Sequence, residues 1–449
     1  MERQTQPNIA GPRRKVTLAH RRWQIAWLLG VGVLINYFDR VNLSVSYNSL
    51  FAAFGISDVI FGYLSSAYNW TYAICQLPVG VVLDRLGVRR VGRIGTLLWS
   101  LASFAAAATP NLGGLFGARL LLGVGEAPTF PANAKAVGAW FPAKERSLAT
   151  SMFDAAAKFA PAIGVPLLGS VLVWAGWRWS FALTGAISMA YFLVFWLVYR
   201  DPAEDEKLTE SDRAEVEAHG AAHDEAHGGV GKHSSLFALL RQRKVLGLTM
   251  GFGAYNYVFF LLLTWLPRYL SSALHVDLLH SFLYTGVPWL IAATLDVTIG
   301  GWLVDHLIRR GGNASLVRRV VLTTGMTFGL GILGTAYAHT ATQALIWISI
   351  SIGGLAVHAP VAWSVPSLIA VRGDVGKVGG IANFSGQISG ICASILTGYL
   401  VSSLHSYFWA FGVAAIYLGV GILGYVFLLG PMDLAPKGAI PAQITPKVG

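Results

Sequence analysis

The feature that most constrains this chain is a series of long apolar stretches with charged residues stranded inside them. Twelve such stretches lie near 23–48, 59–86, 91–108, 112–140, 147–174, 178–199, 244–271, 281–308, 317–338, 342–370, 376–402 and 406–429. Each is about 20 residues or longer, which as a helix is enough to cross a bilayer. Asp39 with Arg40, Arg119 with Glu126, Asp154 with Lys158, and Asp296 each fall near the middle of one stretch. A charge at that depth costs from about 2.5 to more than 10 kcal/mol, so it faces a water-filled cavity or a partner. Both signs occur, in different stretches. That is the pattern of a pathway for a charged solute, and it makes the lipid bilayer the first partner the sequence demands.

Only 12% of the 449 residues are charged and 54% are hydrophobic, against about 25% charged in soluble domains. An ordinary soluble enzyme is excluded on that ground. The net charge of +11 would suit nucleic acid, but the placement of the cations argues against it. All but Arg40, Arg119, Lys135, Lys158, Arg178 and Arg268 of the 33 Lys and Arg fall in the tails and in alternate loops. This asymmetry follows the positive-inside rule. It places both termini, and the loops near 85–90, 144–146, 309–319 and 372–377, in the cytoplasm of a cell whose inner membrane holds the chain. The apolar stretch after the basic N-terminus is too long for a signal-peptide core, so it reads as a retained first helix. The two cysteines, Cys75 and Cys392, lie inside apolar stretches and imply no disulfide framework. No catalytic triad, phosphate loop or metal motif is present, so no enzyme activity, cofactor or metal is expected.

The chain divides into a basic tail (1–22), six helices (23–199), a polar linker (200–243), six more helices (244–429) and a tail (430–449). In the linker His219, His223 and His227 recur every four residues and would share one helix face. A divalent metal is one reading; a solvated linker is the simpler one, since nothing supplies a rigid shell. The halves echo each other. GVVLDRLGVRR (80–90) and GGWLVDHLIRRGG (300–312) follow the second helix of each half, with Asp84 and Asp305 in corresponding places. Residues 151–169 align with 379–398, setting Asn383 opposite Asp154 and Gln387 opposite Lys158. Two six-helix repeats are the architecture of a transporter with a site between halves.

Adjacent Asp39 and Arg40 project about 100° apart on a helix, so they cannot form one pair on one face. Arg40 suits the cavity and Asp39 a neighbouring helix. Arg119 and Glu126 share a face two turns apart. Moving the Arg away from Glu126, or neutralising it with a substrate carboxylate, would raise the proton affinity of the Glu, a direct route to proton–anion coupling. Lys158, one turn past Asp154, is a candidate anion contact or the fixed partner of that Asp. Asp296 is a candidate proton site, or caps a water pocket, or pairs with Lys158 or Arg40 across the halves. Tyr72, Tyr255, Asn256, Asn383 and Gln387 offer the hydroxyls and amides that would match a polyhydroxy solute, or serve as glue between helices. Tyr68, Tyr72 and Gln76 form a stripe on the second helix.

The stretches NYFDRVNLSVS (36–46), LDRLGVRR (83–90), RLLLGVGEAPTFPANAKAVGAWFPAKERSLAT (119–150), GWRWSF (176–181) and GKVGGIANFSGQISGI (376–391) resemble the anion:cation symporter family of the major facilitator superfamily. That family includes bacterial hexuronate, galactonate and glucarate transporters and the animal sialin and vesicular glutamate transporters. The resemblance covers essentially 20–430. It implies an all-α membrane fold of twelve helices in two pseudo-symmetric bundles. It implies that Arg40 bears on anion recognition, that Glu126 and Asp39 are proton sites, and that Tyr72 lies at the substrate cavity. It also implies an inner gate in which Asp84, Arg85, Arg89, Arg90, Glu145, Arg146, Asp305, Arg309 and Arg310 form charge pairs. Relatives often carry Pro-x-Asp-Ile-Ala where this chain has VPSLIA (365–370), with Ser367 for the Asp. The run 286–305 looks most like the hexuronate-type branch, in which the position of Asp296 is often acidic.

The expectation is therefore a monomeric secondary transporter that takes up a small organic anion, most directly a sugar acid, together with protons. A carrier of phthalate-like or tartrate-like acids, and a sodium-coupled carrier or exchanger of the same fold, are the alternatives. A transporter-like sensor is disfavoured by the intact gate motifs and the polar middle.

Overall fold

The computed structural model describes residues 17–216, 235–370 and 374–432. Every regular element among the described residues is helical. Breaks in the helices fall where the sequence supplies a breaker. The first span, Leu18–Val45, starts at Thr17, whose hydroxyl accepts from the His20 N–H. A short helix, Tyr47–Phe54, ends at Gly55 and turns by 117° into the second span. The second and third spans form one run, Asp58–Ala108, broken at Gly87 with φ 75°. A side chain there would be strained, and a Cβ would stand 3.1 Å from the Asp201 carboxylate. The fourth span is split into Leu112–Glu126 and Thr129–Trp140 around Pro128, which has no N–H to continue the ladder. Ala143–Ala175 and Trp177–Val198 complete the first half.

The second half runs through Arg243–Ala273, Leu278–Leu295, Ala314–Gly329, Ala341–Ser364, Val375–Leu404 and Phe408–Leu423. The eighth span does not stop at Leu295. It passes through a π-helical stretch, Asp296–Leu303, into Val304–Arg309. Nine of the described helices are long and apolar enough to span alone, or ten with the bent pair around Gly55 counted as one. The spans that fall short have evident causes. The first carries Asn36, Asp39, Arg40 and Asn42, and the fourth is cut at Pro128. Large apolar side chains such as Trp174, Leu197 and Ile416 are 89%, 71% and 71% exposed on the outside of the bundle, as a lipid-facing surface requires.

The two halves meet along three seams: second span on eleventh, fifth on eighth and first on seventh. Close approach is possible because of small residues. A Cβ on Gly62 would stand 2.5 Å from the Ser394 carbonyl. The polar contacts across the seams concentrate away from the chain termini, on the far side of the bundle. The Ser44 hydroxyl donates to the Thr264 carbonyl at 2.8 Å. Arg268 forks onto Asp58, Nε to Oδ1 at 2.7 Å and Nη2 to Oδ2 at 3.2 Å. The Tyr47 hydroxyl also donates to Asp58, and its ring lies 3.7 Å under the Arg268 guanidinium. Toward the terminal side, Gly80, Gly376, Gly379 and Gly380 face open space. The halves are thus sealed together on the far side.

Candidate functional site

The middle of the first half holds four charges sorted into two layers. Arg40 is 6% exposed and its Nε donates to Glu126 Oε2 at 3.0 Å. Its guanidinium sits 4.4, 4.8 and 5.4 Å from the ring centres of Tyr37, Tyr68 and Tyr72. Three aromatic faces around a desolvated guanidinium hold it in place by cation–π attraction. Asp39 turns the other way, as a 100° offset requires. Its two oxygens accept from Ser103 at 2.5 Å and Ser188 at 2.8 Å, on the third and sixth spans. Arg119 donates to the Asp39 backbone carbonyl at 3.2 Å and lies 5.5 Å from the Tyr68 ring. The cation paired with Glu126 is therefore Arg40; Arg119 lies on the same helix face as Glu126 but is engaged one layer away.

Around these charges Arg40 Nη2, Arg119 Nε and Glu126 Oε1 are buried with no hydrogen-bond partner among the described residues, as are Ser65 Oγ, Tyr68 OH and Asn69 Oδ1. The unspent groups of Arg40, Ser65, Tyr68, Asn69 and Arg119 surround a single cavity and form a binding surface in waiting. That cavity is lined by Arg40, Ser44, Ser65, Tyr68, Asn69 and Arg119 from the first half, and is closed by Phe260, Leu263 and Thr264 from the second. Glu126 is the last residue of its helix, immediately before the Ala127–Pro128 break, and its carboxylate meets the first span at Arg40.

A second charged centre straddles the halves. Lys158 Nζ lies 2.8 Å from Asp154 Oδ2, one turn back on the fifth span, and 2.6 Å from Asp296 Oδ2 on the eighth. Asp296 opens the π-helical stretch, and such irregular turns recur at functional sites. Tyr255, Phe259 and Trp289 wall Lys158 on the second-half side. Of the neutral candidates, Tyr72 lines the Arg40 centre and Tyr255 the Lys158 centre. Asn383 donates to Gln76 across the second–eleventh seam at 2.8 Å. Gln387 is 5% exposed with its Oε1 unpartnered among the described residues. Asn256 is not brought to either centre. It follows Tyr255 by 100°, bonds the Phe252 carbonyl of its own helix at 2.8 Å and lies against Gly386.

Among the described gate residues, none forms an ion pair across the halves. Arg89 pairs with Glu204, and its N–H donates to Asp201 at 3.4 Å. Burial raises the Asp201 carboxyl above its ordinary value. Glu145 pairs with Arg22 at 3.0 Å. Arg85, Arg90, Asp305, Arg309 and Arg310 make no side-chain ion pair among the described residues. The side chains of Asp84 and Arg146, and His219, His223 and His227, lie outside the described residues. The charge pair that does seal the halves, Asp58–Arg268, is on the other side.

Sequence reasoning missed three features. Arg268 was visible only as a cation outside the charge asymmetry, and nothing marked Asp58 as its partner. Tyr37 lies between the two centres, within electrostatic reach of both Arg40 and Lys158. His358, fully buried on the tenth span, bonds the Tyr425 hydroxyl at 2.8 Å and stacks 5.1 Å from the Tyr255 ring; a histidine in an apolar stretch was its only signal.

The Major Facilitator Superfamily model matches residues 29–317. An uncharacterized transporter, YybO, of Bacillus subtilis (strain 168) is 38% identical over 412 residues, covering 92% of this chain and 94% of that one. The D-galactonate transporter of Escherichia coli O6:H1 is 30% identical over 424 residues, covering 91% and 96%. A solved bacterial homolog of the human lysosomal transporter Spinster, inward-facing and occupied, superposes with a TM-score of 0.73 at 14% identity, covering 93% of this chain and 99% of that one. It shares the fold alone. This chain is a multi-pass membrane transporter, not an enzyme, and it belongs to the major facilitator superfamily, in the anion:cation symporter family that its 36–46 and 119–150 motifs resemble.

Proposed function

We propose that this transporter takes up an organic anion together with protons, and that the anion is a sugar acid such as a hexuronate, aldonate or aldarate. The observation that carries the reading is the Arg40–Glu126 pair, buried with unspent donors and an unspent carboxylate oxygen. A substrate carboxylate and Glu126 compete for the same guanidinium. Protonating Glu126 removes the competitor, so proton and anion binding favour each other, and by linkage the effect is reciprocal. Asp39 is less suited to the task in this state, because both its oxygens are already engaged by the Ser103 and Ser188 hydroxyls and neither competes for the Arg40 guanidinium. The galactonate transporter among the relatives supports a polyhydroxy acid, as do the amides and phenols around both centres. Tyr72, Tyr255, Asn383 and Gln387 would meet its hydroxyls, with Arg119, Asp154, Lys158 and Asp296 completing the coupled charge set.

The chain works as a monomer, with bundles 23–199 and 244–429 rocking about the seams and both termini in the cytoplasm of the inner membrane. In that orientation the sealed far side is the outside, and Asp58–Arg268 is the outer closure. The test is uptake of labelled galactonate and glucuronate into proteoliposomes, with and without an inward proton gradient and without sodium. Accumulation driven by the gradient supports the reading. Accumulation only with sodium, or competition only by phthalate or tartrate, replaces it with the corresponding alternative.

A further inference from the structure

The two charged centres differ in what they leave free. The Arg40 centre has donors to spare, at Arg40 Nη2 and Arg119 Nε. The Lys158 centre has no net positive charge to offer an anion. Its one cation is held by two carboxylates, 2.8 and 2.6 Å away, so the three groups sum to one negative charge when all are ionised. With one carboxyl protonated the sum is zero, and the ammonium is still taken. Between the centres stands Tyr37, its ring 4.4 Å from the Arg40 guanidinium and 6.3 Å from the ring of Phe259, which walls Lys158. The Tyr255 phenol lies against the second centre as a neutral partner.

We infer that the Asp154–Lys158–Asp296 triad is a selectivity element that admits the hydroxyl end of a monocarboxylic sugar acid and rejects a second carboxylate. The inference rests on the sugar-acid reading above and narrows it. A six-carbon acid anchored by its carboxylate at Arg40 points its other end along Tyr37 toward the triad. A primary alcohol or an aldehyde hydrate there can donate to Asp154 or Asp296 and accept from Lys158. A carboxylate there meets two carboxylates of its own sign with no uncommitted cation, and juxtaposed like charges are a strong device for excluding a wrong partner. Aldonates and hexuronates are accepted; aldarates of the same skeleton are refused. Asp154 and Asp296 set this choice by occupying the lysine.

The comparison that tests this is galactonate against galactarate, which differ only in oxidation of the last carbon. Binding of each to the purified full chain in detergent is measured by calorimetry, for the natural protein and for the Asp296→Asn and Asp154→Asn variants. Galactonate is expected to bind the natural protein at least about tenfold more tightly than galactarate, with the ratio falling toward one in at least one variant as a carboxylate is removed. Equal affinities in the natural protein overturn the inference and leave the sugar-acid reading standing. A preference retained unchanged in both variants also overturns it, because the discrimination then resides elsewhere. Failure of galactonate, glucuronate and galactarate all to bind overturns the sugar-acid reading, and the inference falls with it. If one variant does not fold, the natural protein's ratio and the other variant still decide.

Discussion

The Arg40 and Lys158 centres are both buried and both charged, yet they are assembled from different parts of the molecule. Glu126, Tyr37, Tyr68 and Tyr72, the groups that hold Arg40, all belong to the first half. Lys158 is held by one carboxylate from its own half and one from the other. A rigid rocking of the halves keeps the first constellation intact and pulls the second apart. Recognition built within a bundle can persist through a transport cycle, whereas a pair built across the seam exists only while the seam is shut. Alternating access needs both kinds of element: one to carry the load, and one whose formation depends on the conformation.

The strongest way to break the comparison is to damage the intact bundle. Arg40→Lys keeps the charge but gives up the planar fork and the stacking on three rings. Galactonate affinity is expected to fall by about 100-fold or more, since a charge-assisted forked contact is lost in a desolvated site. Calorimetry on the purified variant checks this, with native-like thermal unfolding as the control for folding. Unchanged affinity would remove Arg40 from recognition and leave the cavity without its anchor.

Glu126→Gln sharpens the same half. It removes a titrating group while keeping shape and one acceptor. Uphill accumulation is expected to vanish, while exchange of internal for external galactonate persists. The sign of the pH effect follows from the competition for Arg40. In the natural protein affinity rises as pH falls, because protonation of Glu126 frees the guanidinium; in the variant that slope flattens. Retained gradient-driven accumulation would reassign the coupling to Asp39 or Asp296.

How much of this contrast could be read without coordinates depends on how local each part is. The first half was legible because its charges announce themselves against an apolar background, and because the 100° offset of Asp39 and Arg40 already separates their roles. The pairing itself was not. Arg119 shares a helix face with Glu126 in sequence, yet Arg40 on another span takes Glu126, because two turns of one helix set Arg119 about 10 Å away along the axis. The fifth–eighth contact was named as one of two options for Asp296, and spacing alone cannot choose between cations on different helices. The inner gate was read from motifs, but with the far side sealed the described gate charges that pair, Arg89 and Glu145, pair with Glu204 of the linker and Arg22 of the tail and not with the second half, and Asp58–Arg268 is the closure that forms. Motifs tell which residues meet at some point of a cycle; only a conformation tells which meet at once.

The seam itself gives the third test. Lys158→Met strands Asp154 and Asp296 without a cation. Leaving buried charges unpaired costs about 3–5 kcal/mol, so a clear drop in unfolding temperature in detergent is expected. Asp296→Asn leaves Lys158 with Asp154 and should cost distinctly less. Equal losses for the two would mean that the triad is not the asymmetric, lysine-centred unit described above.

A smaller effect is expected at the far-side closure. Asp58 and Arg268 are partly exposed, 15% and 17% at their side chains, and such pairs contribute on the order of 1 kcal/mol. Asp58→Asn should therefore shift the balance between sealed and open far side about fivefold, at about 1.4 kcal/mol per factor of ten. With Cys75 and Cys392 replaced and Ser65→Cys introduced in the cavity wall, labelling from the far side reports the shift directly. A labelling rate that does not rise would mean the seal is held by the packed small residues of the second–eleventh seam, such as Gly62 against Ser394, and not by charge.

The smallest expected effect falls on Asn256, and it bounds the comparison from the other side. This residue is polar, sits on the seventh span beside Tyr255 and had the same claim as its neighbour to be a substrate contact. Its amide donates to the Phe252 carbonyl one turn back and its side chain lies against Gly386. Both interactions stay within the second half, so neither is made or broken when the halves part. Asn256→Ala removes one local hydrogen bond, worth about 1 kcal/mol at most in net stability, and leaves both charged centres untouched. Galactonate affinity should stay within about twofold of the natural value, and the galactonate-to-galactarate ratio should not move, since nothing in the variant alters the charge at either centre. Tyr255→Phe, one residue earlier, should by contrast weaken binding several-fold, since it deletes the phenol beside Lys158. If the two variants behaved alike in calorimetry, the division of the seventh span into a face toward the site and a face toward the eleventh helix would be wrong, and with it the assignment of Tyr255 to the Lys158 centre.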